Sequence, residues 1–226
     1  MSSQGYSPYT MNEYIKNVVK LILNNSTAKL PIKKSDIITN AVGGNTKFFN
    51  DAVNGAKEIL LDVYGIKLHE VPESKSTKSY ITTSTLESSV LELTEKQKPE
   101  LTLLFLVLSY IFMKGEPVNE EVVIEYLKKL KIPMEEPNDS FPFVVKKLLT
   151  ETFVKQLYLK RTKVQPISAS EAEYILEWGY RAQEEFSKKD ILDIVANILQ
   201  KPAVCFVRQH SEVRQKAVEM EIEVEN

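Results

Sequence analysis

The sequence predicts a mainly α-helical fold with small β-hairpins, laid out as two successive units of three helices and a wing. Three observations lead there. The run Leu101 to Met113 has only Thr102 and Ser109 as polar members. A bilayer span needs about 20 apolar residues, so this run is expected to be a central helix wrapped by other elements on all sides. Upstream of it, three stretches of helical spacing precede two stretches of alternating polarity. Downstream, the same order of elements recurs without any repeat of residues.

In the first unit, residues 10–83, Met11, Tyr14, Ile15, Val18, Val19 and Ile22 form one apolar stripe and predict a helix to Leu23. Asn24, Asn25 and Ser26 end it. Leu30-Pro31-Ile32 reads as an extended connector, because proline disfavours helix at the residue before it. Ser35 and Asp36 are expected to cap a short helix, Ile37 to Ala41, and Gly43-Gly44-Asn45 to turn. A longer helix follows from Thr46 to Tyr64, with Phe48, Phe49, Val53, Ile59, Leu60 and Val63 on its apolar side, closed by Gly65. Ile66, Leu68 and Val71, then Tyr80 and Thr82, alternate with polar residues around a Ser- and Lys-rich loop, which predicts a two-stranded hairpin. Three helices and a hairpin make a winged helix. Residues 1–9 are expected to be disordered, and 84–98 to be a linker with a short helical piece at Leu86 to Leu93.

The second unit, residues 99–205, opens with the apolar helix. Pro99 and Glu100 suit its first turn, and Lys114-Gly115 its stop. Asn119 is expected to cap a helix from Glu120 to Leu130, and Phe143 to Thr150 to form the third helix. Alternation from Val154 to Arg161 predicts a strand, paired with Tyr174 to Trp178 across a loop that holds Pro166. Ser187 caps a last helix, Lys188 to Leu199. Residues 206–226 form a charged tail, acidic at Glu219, Glu221, Glu223 and Glu225, read as a frayed helix or disorder.

With 29 basic and 31 acidic residues in 226, the formal net charge of −2 does not indicate a globally basic nucleic-acid binder. The single cysteine, Cys205, allows no intramolecular disulfide and suits a reducing compartment. The N-terminal stretch shows no secretory pattern, so a cytosolic or nuclear protein is expected.

No catalytic set is visible. His69 and His210 lie in a wing strand and near the tail, and one cysteine builds neither a zinc site nor a Cys–His dyad of conventional spacing. No Lys-Ser or Lys-Thr follows Gly43-Gly44 where a phosphate loop would need it. The expectation is a protein that is not an enzyme, with no cofactor, metal or small-molecule substrate. Basic residues do cluster: Lys146, Lys147, Lys155, Lys160, Arg161 and Lys163 surround the one acid Glu151, on the third helix and first wing strand of the second unit. Helix-turn-helix relatives commonly face DNA with these elements, and Lys or Arg there would bind phosphates without reading sequence. The alternative is a solvated basic face. Lys128, Lys129 and Lys131 either extend the patch or solubilise a helix end. No base-reading set of Asn, Gln or Arg stands on that third helix.

The stretch LTLLFLVLSYIFMKGEPVNEEVVIEYLKKL, followed in order by KKLLTETFVKQLYLKR and YILEWGYRA, resembles the MAGE homology domain. The likeness runs from about Val18 to Leu199 and is stronger in the second unit. It implies tandem winged helices and a non-catalytic protein that binds a RING-type ubiquitin ligase. Ile22 and Leu23 fall where the family commonly carries a paired leucine that helps to hold the RING partner; ordinary core packing is the other reading of this pair. In WGYRA, Tyr180 replaces the proline of the common WGPRA, and Trp178 reads as a core anchor. Lys160-Arg161-Thr162 stands where many relatives have an acid followed by Tyr-Arg, which makes this wing more basic.

With little sequence beyond the homology domain, the likeness points to the ancestral single-copy type. That type is a non-SMC element of the SMC five/six genome-maintenance complex, a nuclear assembly active in DNA repair. Its expected partners are a RING-type ligase subunit on the first unit, a kleisin subunit in an apolar groove of the second, and duplex DNA bound nonspecifically; no membrane is involved. The central helix Leu101 to Met113 would floor the groove. Two alternatives stay open: a regulator of a different RING ligase outside that complex, and a winged-helix transcription factor.

Overall fold

The computed structural model describes residues 10–72, 78–86, 94–95, 97–164 and 172–224, with side chains as far as residue 215. The expectations for residues 1–9, for the centre of the first wing loop, for the helical piece Leu86 to Leu93 beyond its first residue, and for the loop around Pro166 lie outside them. The chain divides into two compact units, Met1–Glu92 and Leu93–Asn226. Each is a winged helix.

In the first unit, α1 (Met11–Ser26) starts at a reciprocal cap. Thr10 accepts from the Glu13 backbone, and Glu13 accepts from the Thr10 N–H. It runs three residues past the expected end, because the Asn25 amide donates to Leu21 O at 2.7 Å and Ser26 Oγ to Leu23 O at 2.8 Å. Polar residues that read as a stop thus bond back to carbonyls of the last turns instead, Leu23 O being one of the four that no helix amide reaches. Next comes β1 (Ile32–Lys33), then α2 (Lys34–Asn40), which starts ahead of the expected Ser35–Asp36 cap and has no side-chain cap. A 3-10 turn, Thr46–Phe48, leads into α3 (Phe49–Tyr64). The buried line of α3 is Phe49, Ala52, Val53, Ala56 and Leu60; Ile59 and Val63, expected inside, are exposed. Ala52 and Ala56 carry too little hydrophobicity to stand out in the sequence, yet their small side chains let α3 lie close to its neighbours.

The first wing is β2 (Ile66–Glu70) and β3 (Ser79–Ser84), paired antiparallel with Leu68 opposite Thr82. The expected two-stranded hairpin is in fact a three-stranded sheet of order β1-β3-β2, because Ile32 pairs with Tyr80 and Lys33 with Ser79. Two residues are too few for alternation to show, so the sequence hides this strand.

The second unit repeats the plan. Helix α4 (Gln97–Lys114) begins with Thr94 and Gln97 exchanging hydrogen bonds, two residues ahead of Pro99, and ends at Gly115. Gly115 has φ +94°, and its N–H donates to the Ile111 and Phe112 carbonyls. Then come β4 (Val118–Asn119) and α5 (Glu120–Lys129), capped by Asn119, whose side chain accepts from the Glu121 N–H at 2.9 Å.

The third helix is longer and less regular than the sequence suggested. It is a turn α6 (Val145–Lys147), a π turn over Leu148–Thr152, and a turn α7 (Phe153–Lys155). The expected strand from Val154 is therefore corrected: the chain stays helical to Lys155 and reverses at Leu157 (φ +63°), and only β5 (Leu159–Val164) is strand. The apparent alternation of 154–158 is that of a helix end followed by a turn. Next come β6 (Glu173–Trp178), α8 (Tyr180–Glu185) and α9 (Lys188–Ile198), the last capped by Ser187, which accepts from the Asp190 N–H. The sheet is again three-stranded, β4-β6-β5. The tail is a helix, α10 (Val207–Val224). It is seated by the buried Gln209 amide, which donates to Met113 O at 2.8 Å, and by Glu212, which pairs with Lys188 at 2.6 Å.

Candidate functional site

Four features of the described residues bear on function: the basic patch, the open side of α4, the apolar residues of the first unit, and the corner that holds the second wing.

The corner sets the geometry of the patch. The reversal Gln156–Tyr158 leaves three carbonyls pointing inward, and the residues after β6 meet all three. Arg181 Nε donates to Gln156 O at 2.8 Å, the Arg181 backbone N–H to Leu157 O at 3.0 Å, and the Gly179 N–H to Tyr158 O at 2.8 Å. A Cβ on Gly179 would sit 2.2 Å from Leu157 O, so only glycine permits this approach. Arg181 is 1% exposed and pairs with Glu185 at 3.1 Å; the Tyr158 hydroxyl donates to the same carboxylate at 2.5 Å. Burial and the Glu185 charge push the Tyr158 hydroxyl well above the ordinary phenol range. Trp178 is buried as expected, its Nε1 donating to Leu108 O at 3.0 Å and its backbone N–H to Glu116 at 2.9 Å. The WGYRA stretch is thus a bracket for the wing. Tyr180 starts α8, directly after Gly179.

The basic patch is anchored to this bracket, and most of its charges are engaged. Lys146 pairs with Glu135 at 2.8 Å, which holds its ammonium above the ordinary range. Lys155 pairs with Glu151 at 3.2 Å, one turn back, and Lys160 with Glu177 at 3.4 Å across the wing. Arg161 makes a two-pronged pair with Glu120: Nη2 donates to Oε1 at 2.8 Å and Nε to Oε2. Its guanidinium lies 3.4 Å from the centroid of the Tyr174 ring. The Glu120 hydrogen bond, against the cost of burial, raises the Arg161 pKa. Arg161 is therefore a strut between α5, β5 and β6. Lys147 and Lys163 are exposed, with no ion pair among the described residues. Strand alternation also divides the wing, since Arg161 and Lys163 share the face of buried Leu159 while Lys160 points from the other.

Helix α4 is not wrapped on all sides. Leu103, Leu104, Val107, Leu108, Ile111 and Phe112 are buried, but Phe105, Leu106, Tyr110 and Met113 are half-buried and Thr102 is exposed. Leu106, Tyr110 and Met113 follow one another at helical spacing. Tyr110 stacks on Tyr126 of α5 with ring centroids 4.0 Å apart, so the seam between α4 and α5 presents an apolar, aromatic strip. A helix that is apolar all round gives no periodicity from which to read its open side.

In the first unit, Ile22 is fully buried in the core, and Leu23 is half-buried against it. Of the two, only Leu23 has surface to offer. Sequence reasoning passed over another apolar face. Ile59, Leu61, Val63 and Tyr64 are exposed at the end of α3, with Val63 at 69%. Of these, Ile59 and Val63 stand one turn apart on one side of the helix, and apolar surface of that kind marks a partner or a liability. No signal marked it, since Ile59 and Val63 fit a core stripe equally well. A similar patch in the second unit is formed by Ile194, Ile198, Leu199, Val204 and Val207.

The two histidines play no joint part: His69 is buried, its Nε2 2.8 Å from Thr83 Oγ1, and His210 is half-buried on α10. Among the described residues no three His, Cys, Asp or Glu side chains stand where they could hold a metal ion, and no helix is long and apolar enough to cross a membrane.

A family model described as the MAGE homology domain matches residues 18–189. Trophinin of Homo sapiens is 33% identical over 213 residues, 94% of this chain and 14% of that protein. Melanoma-associated antigen D2 of Homo sapiens is 34% identical over 198 residues, 87% of this chain and 32% of that protein. The non-structural maintenance of chromosomes element 3 homolog of Homo sapiens is 33% identical over 187 residues, 81% of this chain and 60% of that protein. The chain thus spans less than two thirds of the length of each of these relatives. Among solved structures, a chain from one described as the Nse1-Nse3-Nse4 complex superposes with a TM-score of 0.82 at 32% identity, covering 92% of this chain and 100% of that one.

Proposed function

The chain belongs to the MAGE homology domain family, and from that membership we propose that it is a non-catalytic scaffold subunit of the nuclear SMC five/six complex. It binds, and can thereby stimulate, a RING-type ubiquitin ligase subunit, bridges it to a kleisin, and touches duplex DNA without reading its sequence in DNA repair and genome maintenance. The match over the full length of a chain from the Nse1-Nse3-Nse4 complex is the observation that carries this reading. Two winged helices, one in each unit, give each partner its own surface.

Each contact has a physical candidate. Leu23 is the apolar residue of α1 offered to the RING subunit, while Ile22 holds the helix from beneath. The strip Leu106, Tyr110, Met113 and Tyr126 suits the apolar face of an amphipathic kleisin helix, whose anchors recur at the same spacing. Lys146, Lys147, Lys155, Lys160 and Lys163 are exposed and can turn to phosphates. Arg161 holds the wing that presents two of them.

Affinity purification of the tagged chain from its own cells tests the assembly. A RING protein recovered together with a kleisin and SMC subunits supports the scaffold reading. A RING protein alone moves the function to a ligase regulator outside the complex, and neither leaves the family role without support. With reconstituted subunits, Leu23→Asp is expected to weaken RING binding and Tyr110→Asp kleisin binding, each by at least about tenfold, the scale of a missing apolar anchor. Circular dichroism identical to wild type is required for either result to count.

A further inference from the structure

We propose that the first unit carries a duplex-DNA surface of its own, formed by Lys33, Lys34 and Lys47 where the start of α3 meets the sheet. This rests on the proposed function's duplex binding and adds a second footprint, in a unit to which that function assigns only a protein partner.

The three ammonium groups come from three consecutive elements. Lys33 is exposed on β1, opposite Ser79 of the wing. Lys34 opens α2; its backbone N–H donates to Lys78 O at 2.8 Å, and its Nζ stands 4.5 Å from the ring centroid of Phe49, the first residue of α3. Lys47 lies in the 3-10 turn just before, with Nζ 5.9 Å from the Phe48 ring. Phe49 in turn leans on Tyr80 of β3, ring centroids 6.3 Å apart, which ties the α3 start to the wing. Aromatic rings beneath Lys34 and Lys47 narrow the space those side chains search, so less freedom is lost when a phosphate is met. Lys78 is a fourth cation at this place, held by Glu70 at 2.5 Å.

Charge pairing distinguishes this cluster from the patch of the second unit. There, Lys146, Lys155, Lys160 and Arg161 each face a carboxylate. Here Asp36 and Asp51 are the acids in the first turns of the same helices, both exposed, and Asp36 accepts from Ser35 Oγ at 3.3 Å. Among the described residues neither acid, nor any other, lies within ion-pair distance of Lys33, Lys34 or Lys47. An ammonium that faces water gives up no protein partner when a phosphate arrives, whereas a paired one must exchange an existing bond for the new one.

The fold sets these cations in a productive place. Helices α2 and α3, joined by the turn at residues 41–45, form a helix-turn-helix, whose second helix enters the major groove by its first residues. Asn50 and Asn54, one turn apart and exposed on α3, add side-chain amides that bond base edges or phosphate oxygens. The third helix of the second unit has no such pair.

Binding of the full chain to a fluorescent duplex of random sequence, followed by anisotropy across a salt series, tests the proposal. Two variants are compared with wild type: Lys33→Glu/Lys34→Glu/Lys47→Glu in the first unit, and Lys147→Glu/Lys163→Glu in the second. The first-unit variant is expected to lose about tenfold or more in affinity at low salt, and its log K against log salt slope should flatten by roughly 2 to 3, near one for each phosphate that is no longer neutralised. The loss should be alike for unrelated sequences. Wild-type affinity and slope in that variant overturn the proposal. If the second-unit variant then binds weakly, the duplex reading survives with one footprint. Loss in the first-unit variant alone keeps this proposal and removes the second-unit patch. No binding by wild type at low salt overturns both. Should the triple reversal fail to fold, Lys33→Gln/Lys47→Gln leaves the packing of Lys34 on Phe49 intact and is read in the same way.

Discussion

The two units share one plan and hold it together differently. The first is fixed by an apolar core, Val18, Ile22, Ile37, Val53 and Leu60 among its members, and its third helix passes to the wing through a single left-handed glycine, Gly65 at φ +60°. The second encloses two cations. Arg181 satisfies the turn after the third helix and pairs with Glu185, while Lys188 bonds Glu116 at 2.7 Å and Glu212 at 2.6 Å and stands over the Phe112 and Trp178 rings. Burial alone would depress the Lys188 pKa, but the two carboxylates outweigh it and hold it raised. The lesson is that a glycine can close a corner locally, whereas a corner made with a non-glycine left-handed residue, Leu157, needs partners from elsewhere in the chain. The second unit supplies them with one arginine and one glycine, Arg181 and Gly179, from beyond β6.

Four substitutions break or sharpen this contrast, beginning with the largest effect. Because Trp178 is the single tryptophan, its fluorescence reports the second unit alone. Phe112→Ala should lower the stability read by Trp178 by about 3–5 kcal/mol in urea, and leave the exchange protection of first-unit amides unchanged. Arg181→Met should cost about 3–5 kcal/mol by the same probe, since it strands Glu185 and the Gln156 carbonyl. A near-neutral result would mean that the apolar neighbours hold the corner without the ion pair, and would erase the contrast. Ile22→Ala is expected to cost about 2–5 kcal/mol, seen in first-unit amide exchange and not in the Trp178 transition. A transition that shifts in step would make the two units one cooperative block.

Lys188→Met has the smallest effect, about 1–3 kcal/mol, because Glu116 and Glu212 keep some access to water. It also carries a pH signature. The Lys188 pKa is raised on folding, so its stabilisation is complete below the unfolded value of about 10.4 and declines as pH climbs through the folded one. The gap between wild type and Lys188→Met should therefore be constant from about pH 7 to 9 and narrow above about 10.4. A gap that narrows instead on acidification would place the dominant titration on the carboxylates.

Much of the fold was legible because it rests on local patterns. The stripe of α1, the Asn119 and Ser187 caps, the glycine stops at Gly65 and Gly115 and the alternation of β2, β3 and β6 all act within a few residues, and all stand where the sequence put them. What misled was local as well. Val154 to Tyr158 alternates like a strand but ends a helix, and Ile59 and Val63 fit the core stripe of a helix that buries Ala52 and Ala56 instead. The basic patch was visible as a cluster of residue types, but its pairing was not. Glu120 lies 41 residues from Arg161, and Glu135 lies 11 from Lys146.

By itself the sequence determined two winged-helix units, a central apolar helix and a chain near charge neutrality, since periodicity and composition act through backbone geometry and burial, which any window of residues records. Only the tertiary structure decided which cations are struts and which are free for a ligand, and which side of α4 stays open. Those depend on what another part of the chain brings within a few ångströms, and Coulomb and packing energies fall off over that distance rather than along the sequence.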